Sequence, residues 1–176
     1  MATEKVKRIL ISGPESTGKS TLCKALAQKY GTLWVPEYAR AYCEALDRPY
    51  EESDLLPIAK GQWESENELA QQAKDYIFCD TGLEVIKVWG DYKYGRVDSW
   101  VLDRINPEHY DLVLLTDIDI EWEYDPLREY PDMKDRIFFR DYYLRELKAL
   151  YGGCHLISGS LENRIQTVSL LLEALG

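Results

Sequence analysis

Basic charge is the scarcest resource in this chain: 21 Lys and Arg stand against 31 Asp and Glu, a net charge of −10 over 176 residues. Such a surface repels phosphate backbones and anionic lipid, so neither nucleic acid nor a membrane is expected as a partner. Long apolar runs are also missing, and no window approaches the roughly 20 residues of a membrane span. The start, Met1 to Arg8, runs directly into a strand pattern and lacks the apolar stretch and cleavage site of a secretory signal. Histidine occurs twice, and the four cysteines (Cys23, Cys43, Cys79, Cys154) never stand two residues apart, which argues against a structural zinc site. Three of the four lie in apolar runs and read as buried, reduced thiols, which points to the cytoplasm. The ordinary share of hydrophobic residues, 45%, excludes wholesale disorder.

What is present is an alternation of strand-length apolar runs with longer helical patterns. Strands are expected at Val6–Ser12, Thr32–Pro36, Asp75–Asp80, Asp111–Asp117 and Cys154–Ser158. Helices are expected over Lys19–Tyr30, stopped by Gly31, and over Glu37–Leu46. A long helix capped at Ser53 should reach about Lys74. Two helices over Leu83–Asn106 should be broken around Gly90 to Gly95. Further helices follow over Lys134–Tyr151 and after a cap at Ser160. Strands that alternate with helices require right-handed crossovers, and hence a five-stranded parallel sheet covered on both faces. No linker interrupts the pattern, so residues 1–176 read as a single α/β domain. The polar stretch Ile118–Asp132, with Pro126 and Pro131, reads as a mobile lid.

One motif carries the chemistry. Gly13-Pro14-Glu15-Ser16-Thr17-Gly18-Lys19-Ser20, followed by Thr21 and a helix, is G-x-x-x-x-G-K-S between a strand and a helix. The glycines release the backbone so that loop amides wrap a phosphate at the positive end of the helix. Lys19 adds charge near the β- and γ-phosphates of ATP, and Ser20 supplies a hydroxyl ligand for Mg²⁺. No N-K-x-D guanine reader and no S-G-G-Q transporter signature follows, and the chain is short for an assembly ATPase. A small-molecule kinase fits.

Three clusters support that. Glu37 and Arg40, in Val35-Pro36-Glu37-Tyr38-Ala39-Arg40, follow the second strand at the ligand end of a parallel sheet. The competing reading is a solvated ion pair along a helix. Asp80, in Asp80-Thr81-Gly82, ends the third strand, expected beside the first. There it can hold Mg²⁺ through water or accept a proton from a hydroxyl; the alternative is a helix cap. Arg128 and Arg136, in and after the lid, would offset charge on a moving phosphoryl group, or else balance nearby carboxylates.

Taken together, G-P-E-S-T-G-K-S-T-L, V-P-E-Y-A-R, C-D-T and E-W-x-x-D-x-L-R resemble the ribosylnicotinamide kinase domain of NadR-type proteins, within a wider set of NadR-like P-loop ATPases. The resemblance runs from about Lys7 to Leu175. It implies a nucleoside-kinase-like P-loop fold that uses ATP and Mg²⁺ to phosphorylate the ribose 5′-hydroxyl of nicotinamide riboside. It puts Lys19 and Ser20 on phosphate and Mg²⁺, Glu37, Arg40 and Asp80 on the substrate side, and Arg128 and Arg136 on the lid. Nothing precedes the first strand, so the repressor and adenylyltransferase roles of full-length NadR-type proteins are not implied. A cationic nicotinamide ring favours an aromatic wall, for which Tyr38, Trp63 and Trp89 are candidates.

Asp80 is the expected metal-side carboxylate and base, with Glu37 holding ribose hydroxyls; the reverse assignment remains the alternative. A kinase for another nucleoside or vitamin, and an ATP-binding regulatory module, remain rival readings. The oligomeric state and the preference for ATP over GTP are not legible.

Overall fold

A computed structural model describes residues 5–176. Five strands form one sheet: β1 (Lys7–Ser12), β2 (Leu33–Val35), β3 (Tyr76–Asp80), β4 (Leu112–Thr116) and β5 (His155–Ile157). All pairs are parallel, in the order β2-β3-β1-β4-β5. Between them lie α1 (Lys19–Tyr30), α2 (Tyr38–Glu44), α3 (Glu52–Ala70), α4 (Leu83–Trp89), α5 (Ser99–Leu102), α6 (Met133–Tyr151) and α7 (Leu161–Leu175). This is the expected α/β architecture, with β3 beside β1.

The two-residue period of a strand decides the layers. Ile9 and Ile11 of β1, Phe78 of β3 and Leu114 of β4 face α1 and α7, where Leu22, Leu26, Val168 and Leu172 complete a dry core. Leu10, Ile77, Cys79, Val113 and Leu115 point the other way, onto α4 and α6, through Val85, Val88, Phe139, Tyr143 and Leu147. Phe78 is fully buried, so its truncation to alanine should cost roughly 3–5 kcal/mol. Cys23 and Cys79 are buried, whereas Cys43 and Cys154 are only half-buried; all four are free thiols.

Local expectations are refined in three places. The long helix is capped by Glu51, not Ser53: Glu51 and Asp54 each accept the other's backbone N–H, a reciprocal arrangement. The break expected around Gly90 to Gly95 is present, and it falls at Gly95 rather than Gly90. The chain continues through a π-helical turn (Gly90–Tyr94), and Gly95, at φ +68°, ends it. Gly90 is needed because a Cβ there would lie 2.8 Å from the Arg96 carbonyl. Finally, residues 118–132 lack regular structure but are not loose. Hydrogen bonds fasten the segment to the loop after β1, through acceptors on Glu15 and Ser16.

Candidate active site

The C-terminal ends of β1 and β3 and the start of α1 build the centre of the site. Gly13 sits at φ +139°, and a Cβ there would lie 2.6 Å from Thr116 Oγ1, so only glycine lets the loop leave β1 against β4. Thr17 Oγ1 meets Thr116 Oγ1 at 2.6 Å and donates to the Pro14 carbonyl at 2.8 Å, which fixes the loop from inside. Gly18, at φ +79°, turns the chain into α1. Lys19 Nζ donates to the Pro14 carbonyl at 2.7 Å, arching over the loop it charges.

Ser20 Oγ donates to Asp80 Oδ2. Asp80 is 1% exposed, and its Oδ1 has no partner among the described residues. Burial raises its pKa, opposed first by the Lys19 charge and then by the Ser20 hydroxyl. A hydroxyl and a carboxylate with an unsatisfied buried oxygen are hard donors of the kind Mg²⁺ takes, beside phosphate oxygens. Ser20 and Asp80 therefore fit that ion.

A cavity of about 280 Å³ opens in front of this centre. Glu15 to Thr21 form one wall, Glu37, Arg40, Cys43 and Tyr50 a second, Trp89 and Ile86 a third, and Ile120, Glu121, Glu123 and Leu127 to Glu129 the roof. Glu37 is half-buried and its carboxylate has no hydrogen-bond partner among the described residues; burial raises its pKa, with Lys19 lowering it and Asp80 raising it. Arg40 Nη1 donates to Asp125 Oδ2 at 2.9 Å, which ties α2 to the roof. Arg128 lies in the roof, 3.3 Å from Ser16 Oγ.

Of the residues singled out in the sequence, Glu15 to Ser20, Thr21, Glu37, Arg40, Trp89 and Arg128 thus line one cavity. Six do not line it: Gly13, Pro14, Tyr38, Trp63, Asp80 and Arg136. The Tyr38 ring packs on Gly61 of α3, where a Cβ would come within 2.1 Å of it. Trp63 stacks on His109 at 4.8 Å, outside the cavity. Gly13 and Pro14 act behind the wall. Arg136 is 3% exposed, donates to the Ile120 carbonyl at 3.0 Å and the Ser16 carbonyl at 3.3 Å, and braces roof and loop from beneath.

Sequence reasoning missed Arg164 of α7. It is 3% exposed and donates to the Thr17 carbonyl inside the phosphate loop, to the Gly159 carbonyl at 3.0 Å and to Asp119. It also missed Tyr50, Glu123 and Glu129 on the cavity wall. No local signal marks these residues, since each acts on a partner far along the chain.

A parallel sheet in this order, with a G-x-x-x-x-G-K-S loop between β1 and α1, defines a P-loop NTPase fold. Residues 8–164 match the family AAA_28, described as AAA domain, and the chain belongs to that family. It is similar to the "Trifunctional NAD biosynthesis/regulator protein NadR" of Salmonella typhimurium, 29% identical over 147 residues, covering 81% of this chain and 36% of that protein. The protein of the same name in Escherichia coli is 29% identical over 149 residues, with the same coverage. The chain therefore spans about a third of the length of the curated relatives it matches.

In three dimensions it resembles the crystal structure of NadR protein in complex with NR, at TM-score 0.81 and 22% identity, over 97% of this chain and 52% of that one. It also resembles thymidylate kinase from Candida albicans, at TM-score 0.69 and 14% identity, over 97% and 92%. These two likenesses are likenesses of fold.

Proposed function

We propose that the protein is an ATP-dependent kinase of a small nucleoside, and that its acceptor is nicotinamide riboside, phosphorylated on the ribose 5′-hydroxyl. The observation that carries this reading is a single cavity with a phosphate loop on one wall and an unpaired carboxylate, Glu37, on the other. A nucleotide switch has no use for a proton acceptor across from the phosphates. The similarity to NadR, and the NR bound in one NadR structure, support the choice of acceptor. So does the cavity itself: Trp89 and Tyr50 offer aromatic faces, and Glu37 and Glu129 offer negative charge to a pyridinium ring.

The roles divide by position. Lys19 exchanges the Pro14 carbonyl for phosphate oxygens as the nucleotide enters. Mg²⁺, held by Ser20 and Asp80, would neutralise charge on the phosphates. Asp80 is committed to that side by its hydrogen bond to Ser20. Glu37 has both oxygens available, and we assign to it the proton of the attacking hydroxyl. Arg128, in the roof, stabilises charge on the transferring group, and residues 118–132 act as the lid that keeps water out. Arg136 supports that lid rather than the reacting atoms. Four free thiols suit a reducing compartment, and we place the reaction in the cytoplasm.

The test is a comparison of kcat/KM across nicotinamide riboside, uridine, adenosine, thymidine and thiamine with Mg·ATP. The reading expects nicotinamide riboside to lead the panel. A neutral nucleoside in first place would keep the kinase and replace the acceptor; ATP binding without any phosphorylated product would support the regulatory module instead.

A further inference from the structure

Phosphate dictates only part of a phosphate loop: the glycines, the lysine and the hydroxyl residue after it. A carboxylate at one of the remaining positions is electrostatically unfavourable, because it stands in the loop that receives a polyanion. Glu15 is such a carboxylate. Its Oε2 accepts the backbone N–H of Glu129 at 2.9 Å and of Tyr130 at 3.4 Å, both in the segment over the cavity. Burial raises its pKa, and these two amides oppose the rise.

Ser16 is unfavourable in a different way. Its φ is +54°, a left-handed conformation that glycine adopts freely and serine does not. A side chain kept where glycine would be cheaper points to a use for that side chain. Ser16 Oγ accepts the Glu123 N–H at 2.9 Å and lies 3.3 Å from Arg128 Nη1. Two neighbouring loop residues, each unfavourable for phosphate binding alone, thus satisfy three backbone donors of one segment.

We propose that Glu15 and Ser16 are positioning residues whose side chains fasten residues 118–132 to the phosphate loop and set Arg128 against the transferring phosphate. The same segment holds Arg40 of α2 through Asp125, so the fastening joins the nucleotide wall of the cavity to the acceptor wall. Its effect on rate rests on the kinase reading; its docking geometry does not.

The test uses the full chain with Ser16→Gly, Glu15→Ala and Glu15→Gln. Ser16→Gly deletes the hydroxyl while relaxing the backbone, so a merely structural role makes it neutral or stabilising. Backbone amide exchange in the ATP complex is followed by NMR. It should quicken about tenfold at Glu123 in Ser16→Gly and at Glu129 in Glu15→Ala, and stay near wild type in Glu15→Gln, which keeps an acceptor oxygen. With nicotinamide riboside, kcat should fall about tenfold in the first two variants, while calorimetric Kd for ATP stays within about threefold. Unchanged exchange at these amides overturns the proposal, and so does faster exchange with a wild-type kcat. If the wild-type protein phosphorylates no nucleoside, the kinase reading fails, and exchange alone decides whether the two side chains hold the segment.

Discussion

Ser20 donates its hydroxyl hydrogen to Asp80, joining the first turn of α1 to the C-terminal end of β3. A hydroxyl and a buried carboxylate, the pair proposed to hold Mg²⁺, are thereby fixed to each other before any ligand arrives. The Asp80 side chain is consequently expected to act on the metal. Asp80→Asn should lower kcat by about a hundredfold and raise the Mg²⁺ concentration for half-maximal rate, as should Ser20→Ala to a smaller degree. Titration of the rate with Mg²⁺ checks this, and Glu37→Gln should leave the Mg²⁺ midpoint in place.

Glu37 should write its own signature into the pH profile. Burial lifts its pKa above the ordinary 4.5, and the Lys19 charge limits the rise. The proton acceptor must be ionised, so the rate should fall as pH drops through that raised value. The acid limb of kcat against pH should therefore lie above pH 4.5 and flatten in Glu37→Gln. A limb that survives the substitution would return the proton to Asp80.

A second carboxylate affects stability rather than rate. Glu84, at the start of α4, is fully buried; Oε1 accepts the Gly82 N–H at 3.1 Å and Oε2 has no partner among the described residues. Burial pushes its pKa up to about 7. The folded protein thus holds a proton there that the unfolded chain releases near 4.5, so this group's contribution is complete below pH 4.5 and is lost as pH rises through about 7. Glu84→Gln, which keeps an acceptor for Gly82, should be near neutral at pH 4.5 and stabilise by up to about 3 kcal/mol at pH 8. Urea unfolding at the two pH values reads the difference.

Arg164 holds the phosphate loop from behind. Replacing it by methionine removes the charged donor from the carbonyls of Thr17 and Gly159 and leaves Asp119 with the Gly159 N–H but no charged partner. The variant should lose about 3 kcal/mol of stability and bind ATP more weakly, because the loop amides lose their fixed direction. Thermal unfolding with and without ATP separates the two effects.

Legibility in the sequence followed the range of the interaction. The phosphate loop was readable because phosphate binding demands particular residues within eight consecutive positions. The sheet was readable because a buried parallel strand must be a short apolar run, and Asp80 because such a run ended on a carboxylate. The π-helical turn at Gly90 was not, since the Arg96 carbonyl that excludes a Cβ there is set by the fold. Tyr38 stood in the right motif, yet its ring turns to α3 because Gly61, 23 positions on, leaves room for it. Arg164 was not singled out, since nothing local distinguishes it from the other polar residues of α7. Its partner Thr17 is 147 positions away, and no periodicity reports a contact of that range.

The central claim is that one cavity carries a phosphoryl group from ATP to a nucleoside hydroxyl. The direct measurement is to mix the protein with Mg²⁺, ATP labelled at the γ-phosphate and nicotinamide riboside, and to follow the label. The account predicts its appearance in nicotinamide mononucleotide, one for each ADP formed, and its loss in Lys19→Ala. Label found only in inorganic phosphate, or left in ATP while the nucleoside stays unmodified, would contradict it.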